Sequence, residues 1–224
     1  MRRVDINVDV GEGFAFDDAL LRIATSANVC CGAHAGSVEL CLETVARCRS
    51  LGLRVGAHPG VADRANMGRA PLVIKDEHES AELLRTLAEQ CSVAKWDYVK
   101  PHGSLYNATT EPGPATAPLV AVLLRLQLPL MGIAGTHHGH VATAAAVPLI
   151  SEGFADRAYS PDRRLVPRTQ LGAVLSDHGQ IADQVLVLAE RVDSICVHGD
   201  SPGCVEIAAL VRRTLADAGF EVGS

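Results

Sequence analysis

The sequence predicts a parallel α/β barrel, and three observations predict it. Apolar runs of strand length alternate with helical patterns from one end of the chain to the other. Parallel neighbours need crossover connections, which the intervening helices supply. An open doubly wound sheet satisfies the same rhythm, but no G-x-G-x-x-G follows the first strand and no G-x4-G-K-[ST] occurs anywhere. Polar residues gather just beyond one strand after another, as they do at the mouth of a barrel.

Taken in order, strands are expected at 4–9, 27–33, 54–57, 97–100, 130–134, 149–154 and 193–197, with 220–222 as a vestigial eighth. Between them the 3.6-residue period is carried by Ser80, Leu83, Leu84, Leu87 and Cys91, by Ile181, Val185, Leu188 and Val192, and by Ile207, Leu210, Val211 and Leu215. Asp76 followed by Glu79 fits a capping box, and Ser201-Pro202 places a capping serine before a proline at the first helical position. The Pro-rich 111–118 (EPGPATAP) reads as a loop entering a helix. No linker or repeat divides the chain, so residues 1–224 are expected to form one barrel domain.

Composition narrows the function classes. The 224 residues are 48% hydrophobic and 21% charged, ordinary for a globular chain. A net charge of −6 without a basic stripe gives nucleic acid no electrostatic footprint, and 4% aromatic content gives bases little to stack on. Acids follow the two leading arginines where a signal peptide needs an apolar run, and no run of about 18 apolar residues exists. A cytoplasmic, membrane-free protein is therefore expected. Seven cysteines without a C-x2-C pair suit reduced thiols. Cys41 and Cys48 read as core residues of a helix. Cys31 falls in the second strand within reach of the site, although burial is the simpler reading.

The chemistry is concentrated at strand ends. The first strand runs into Asp9 and Glu12, the second ends at His34 and the third at His58; the fourth carries Lys100 and His102. The sixth leads to Asp156 and Arg157, and the seventh to His198 and Asp200. A lone histidine after a strand is more often a cap than a catalyst, but four of the nine histidines at equivalent ends is hard to ascribe to chance. Neighbouring glycines are expected to let backbone amides approach an anionic or carbonyl-bearing ligand. His137, His138 and His140 read as a solvated first helical turn, and His78 and His178 as surface residues. Arg64, Arg69 and Arg168 lie on loops, where a planar guanidinium is either a staple or a carboxylate clamp.

The segments DINVDVGEG, SANVCCGAHAG, GAHPGVADRANMGR, VKPHGSLYN, GFADRAYSPDRRLVPRTQLGAV and ICVHGDSPG, in this order, resemble the LamB/YcsF family, the A subunit of bacterial ATP-dependent 5-oxoprolinase. That resemblance implies a distorted seven-stranded (β/α) barrel of the glycoside hydrolase/deacetylase type. It also implies cleavage of 5-oxoproline to L-glutamate coupled to hydrolysis of ATP with Mg2+, alongside B and C subunits. The chain departs from the family pattern at Ala33 and Ser37, where Phe and Asp are usual, and at Met67 and Ala70.

Opening an unactivated lactam needs activated water, a stabilised oxyanion and a protonated leaving nitrogen. On the resemblance, Asp9 or Glu12 with His34 and His58 would activate water, and Lys100 and His102 would stabilise the oxyanion. His198 and Asp200 would orient these groups or protonate the nitrogen. Arg64, Asp156, Arg157, Arg168 and Tyr106 would hold the substrate. Two alternatives stay open. One is a metal-dependent deacetylase or amidohydrolase with a transition metal on Asp9, His34 and His58, leaving an open coordination position. The other is a substrate-binding subunit without chemistry of its own.

Overall fold

A computed structural model describes residues 2–161, 164–201 and 203–224. The first strand, β1 (Arg3–Val10), reads R-V-D-I-N-V-D-V and is buried along nearly its whole length. Successive strand residues point to opposite faces. Val4, Ile6, Val8 and Val10 therefore join the main apolar cluster with helix residues such as Leu20, Val211 and Leu215. Asp5, Asn7 and Asp9 face the other way, into the barrel, and find partners there.

The ring continues through β2 (Ser26–Cys30), β3 (Arg54–His58), β4 (Tyr98–Val99), β5 (Leu130–Gly132), β6 (Leu149–Phe154) and β7 (Ser194–Val197). The pairings among these strands are parallel, and β1 pairs both β2 and β7, so seven strands close the barrel. Asn7 lies opposite Ser26 on one side and Cys196 on the other. The eighth strand, β8 (Glu221–Val222), pairs with Arg3 and Val4 at the start of β1. The second and fifth strands stop earlier than the apolar runs suggested, the second because the chain turns at Gly32 with φ 87°.

Around the ring lie α1 (Asp17–Leu21), α2 (Val38–Ser50), α3 (Glu77–Cys91), α4 (Gly103–Thr109), α5 (Thr116–Leu126), α6 (His137–Ala144), α7 (His178–Ala189) and α8 (Cys204–Asp217). Among the described residues none is long and apolar enough to cross a membrane. Asp76 caps α3 by accepting from the Glu79 amide at 2.9 Å, while Glu79 reaches one residue further back, to the Lys75 amide at 2.7 Å. The α8 cap differs from expectation. Gly203, with φ 87°, stands there, and Ser201 donates to Asp200 instead. Pro202 lies outside the described residues. Cys41 and Cys48 are buried on α2, as their spacing predicted.

Candidate active site

The barrel interior is polar from its floor to its mouth. Asp5 accepts from Thr25, Ser26 and Ser194 at the bottom. One layer up, Asn7 donates to Ser194 at 2.7 Å and accepts from Asn28 at 2.7 Å, and Tyr98 donates to Asn28 at 2.7 Å. Gly56 makes room for that tyrosine, since a Cβ there would come within 2.1 Å of its ring. Above this layer stands Lys100, whose Nζ lies 3.0 Å from Asn7, 3.1 Å from Cys196 Sγ, 3.3 Å from Asp9 Oδ1 and 3.0 Å from Glu152 Oε2.

Burial works against charge on each of these groups, and the charges offset it for one another. Burial would raise the Asp9 pKa, but Lys100, His58 and His198 outweigh it and hold the carboxyl well below its usual range. Burial would lower the Lys100 pKa, but Asp9, Cys196 and Glu152 drive it well above normal, so the ammonium persists. Burial keeps the Glu152 pKa raised despite Lys100. The Tyr106 hydroxyl is pushed well up by burial and by the Glu152 charge, and stays protonated.

Three histidines crowd together beside Asp9 and Glu12. The rings of His34 and His102 stack with centroids 3.7 Å apart and 1° between planes. His58 meets His102 edge-on, with Nε2 2.9 Å from His102 Nδ1. Glu12 Oε1 lies 3.3 Å from His34 Nε2 and 3.5 Å from His102 Nδ1. Burial lowers the His58 pKa to about 4 and takes His102 well below its usual value. The glycines beside these residues permit this packing: a Cβ on Gly60 would sit 2.6 Å from the His34 ring, and one on Gly68 2.9 Å from His34 Cβ. Loops and imidazoles, not a ligand, occupy the space they leave.

Opposite, His198 Nδ1 lies 2.9 Å and 3.0 Å from the two Asp156 oxygens, and its ring stacks on Phe154. Burial opposes charge on Asp156, but His198 holds its pKa low. Gln184 of α7 fixes this turn by donating to the carbonyls of Phe154 and Arg157. Asp200 receives both Arg69 and Arg168, so two guanidiniums face one carboxylate and positive charge remains. Between these walls opens a cavity of about 630 Å³ lined by Asp9, His58, Lys100, His102 and His198 and by Arg69, Arg157, Arg168, Tyr106 and Phe154. Leu165, Val166, Pro167 and Thr169, between β6 and α7, also line it.

The model of the LamB/YcsF family matches residues 4–224. The chain belongs to the LamB/YcsF family. It is 40% identical to the 5-oxoprolinase A subunit of Mycobacterium avium over 99% of this chain and 98% of that protein. It also resembles the crystal structure of a lactam utilization protein from Thermus thermophilus, with TM-score 0.87 and 28% identity, covering 100% and 99% of the two chains. A family 4 carbohydrate esterase from Streptomyces lividans shares the fold at TM-score 0.57 and 11% identity, covering 100% and 92%.

Within this LamB/YcsF barrel, Asp9, His58, Lys100, His102 and His198 meet at the cavity, with Glu12 and His34 packed behind. Asp156 and Asp200 act on those walls through His198 and the arginines. Arg157 lines the cavity, but its guanidinium also donates to the carbonyls of Ala173 and Val166. Arg64 is a correction. Its fork donates to the carbonyls of Gly32 and Gly36 at 3.0 and 2.8 Å, stapling the β2–α2 loop away from the cavity, and Arg69 takes the place expected of it.

The expected metal set is a second correction: His34 turns to Glu12, and among the described residues the donors within 4.8 Å of one another fall into two other groups, Glu12 with His58 and His102, and Asp9 with Cys196 and His198. His138 is a third, being buried against Thr109 and Tyr106, not solvated. Ser37 caps α2 by accepting from the Leu40 amide at 3.1 Å, a task Asp performs equally well. Sequence reasoning missed Glu152 and Cys196, one interior position each on β6 and β7. Their signal is a polar or thiol residue two positions before Phe154 and His198, which also face inward.

Proposed function

We propose that this chain is the A subunit of an ATP-dependent 5-oxoprolinase, acting in the cytoplasm as one barrel domain with B and C subunits. The observation that carries the reading is end-to-end similarity, at 40% identity, to a protein named as a 5-oxoprolinase A subunit. In the overall reaction the ring C–N bond breaks, water oxygen bonds to the carbonyl carbon and the nitrogen takes a proton. ATP and a second water give ADP and phosphate, with Mg2+ as the nucleotide's companion.

The cavity supports this chemistry. A planar lactam with one carboxylate fits 630 Å³ with room to spare, and the unmatched guanidinium charge of Arg69 and Arg168 suits that carboxylate. Lys100, kept charged by its carboxylates, faces the cavity as the stabiliser of the developing oxyanion. A carboxylate held as low as Asp9 is a weak base, so Asp9 orients water by accepting a hydrogen bond. His198, held by Asp156 through Nδ1, presents Nε2 to the cavity; it takes the proton from water and returns it to the ring nitrogen. Phosphorylation of the lactam oxygen would make the carbon more electrophilic.

The test is reconstitution. The chain is combined with the B and C subunits, 5-oxoproline and MgATP, and glutamate and ADP are measured. Equal yields of the two support the reading; no glutamate overturns it. Full turnover by Lys100→Ala would leave the chain a binding subunit only.

A further inference from the structure

The contact between His58 and His102 is chemically unusual. His58 Nδ1 lies 2.8 Å from the carbonyl oxygen of Lys100, and His102 Nε2 lies 2.8 Å from that of Met67. A carbonyl only accepts, so each of these nitrogens carries a proton. In neutral rings the other nitrogens, His58 Nε2 and His102 Nδ1, then carry lone pairs, and these two face each other across 2.9 Å. Two lone pairs repel. Something positive belongs beside them.

A proton shared between the rings would serve, and so would a larger cation bound by both lone pairs and by a neighbouring carboxylate. The surroundings favour a larger charge. Asp9, Glu12 and Glu152 are buried around the barrel mouth with Lys100 among them, so carboxylates outnumber the ammonium. Glu12 Oε1 stands 3.5 Å from His102 Nδ1, and the three donor atoms fall within 4.8 Å of one another. Ligand atoms around a tetrahedral zinc at 2.0–2.1 Å are roughly 3.3 Å apart, so small adjustments suffice.

We propose that Glu12, His58 and His102 form a site for one divalent transition-metal ion of the zinc class. Two imidazoles and a carboxylate are the donor set such ions prefer. The supporting contacts are those of ligating histidines, whose far ring nitrogens donate to backbone carbonyls that fix tautomer and orientation. His34 holds Glu12 from behind, and its stacking on His102 restrains that ring. His58 and His102 both line the cavity, so the ion's remaining side is open to it, where it would supply Lewis-acid chemistry. A second cluster, Asp9, Cys196 and His198, is unsuited because the Lys100 ammonium already lies within 3.3 Å of the first two.

The test does not need the 5-oxoprolinase assay, so its failure and that of the proposed reaction are distinguishable. The full chain is purified without chelators and its metal content measured; chelator-treated protein is then titrated with Zn2+ by calorimetry and thermal melting. One ion per chain is expected, with a rise in melting temperature on reloading. Glu12→Gln, which preserves shape, and His102→Asn, which replaces the ligating ring by a smaller amide, are each expected to weaken binding at least ~10-fold while circular dichroism stays unchanged. Cys196→Ser is expected to bind normally. Absence of a stoichiometric ion together with no Zn2+ binding overturns the proposal. So does binding that survives His102→Asn and is lost in Cys196→Ser.

Discussion

The Lys100 ammonium stands 3.0 Å from the Glu152 carboxylate, both side chains buried where the barrel interior opens into the cavity. The pair is asymmetric, because Lys100 has a second carboxylate in Asp9, whereas Lys100 is the cation beside Glu152, whose other neighbour is the neutral Tyr106 hydroxyl. Lys100→Met leaves two buried carboxylates without their counter-charge and is expected to destabilise the fold by about 3–5 kcal/mol. Glu152→Gln leaves Lys100 paired and is expected to cost about 1–3 kcal/mol. Urea unfolding of the two variants checks the order; equal losses would contradict it.

The Asp156–His198 pair predicts a kinetic signature. Asp156→Asn removes the charge beside His198 and turns one of the two acceptor oxygens facing Nδ1 into a donor, so the His198 tautomer is no longer fixed, while the side-chain volume is almost unchanged. A kcat loss of roughly 10²- to 10⁴-fold is expected, with KM little changed. A change confined to KM would place His198 in binding.

The arginines divide the same way. Arg168→Ala removes one of two guanidiniums from the cavity wall and is expected to raise KM for 5-oxoproline about tenfold or more. Arg64→Ala should leave KM within about twofold while lowering stability by about 1 kcal/mol, because among the described residues its fork holds backbone carbonyls.

His138 gives a pH dependence. Burial, with a smaller push from His137, lowers its pKa to about 4, whereas the unfolded imidazole titrates near ~6.5. Below that pH the unfolded chain binds the extra proton first. Stability contributed by the neutral ring is thus complete above ~6.5 and is lost as pH falls towards 4, at about 1.4 kcal/mol per pH unit. Unfolding free energies of wild type and His138→Gln between pH 7.5 and 4.5 should differ in slope by about one proton. Parallel curves would refute the assignment.

Much of the fold was legible because strands and helices repeat with different periods. The V-D-I-N-V-D-V alternation of β1 even encodes which residues face the interior. What escaped depended on tertiary placement. Glu152 looks like an isolated acid in an apolar run, and only barrel closure brings Lys100 across to it. Arg64 and Arg69 share one loop, and the left-handed turn at Met67 and Gly68 between them decides which faces the cavity. The second strand ends at Cys30, so Cys30 approaches His34 while Cys31 packs into the apolar layer. His138 is buried because Gly132 leaves its ring a place, a space that a helical pattern cannot reveal.

An interior held by Asp5, Asn7, Asn28, Tyr98 and Lys100 has a consequence for how this protein can change. Apolar barrel cores tolerate exchanges of similar volume. Here each exchange orphans a donor or acceptor on a neighbouring strand, so viable substitutions must arrive in matched pairs. Evolvability therefore resides in the wall between β6 and α7, whose Leu165, Val166 and Thr169 border the cavity without belonging to that lattice. Libraries aimed at new cyclic amides will yield functional variants from that segment and chiefly unfolded chains from the interior.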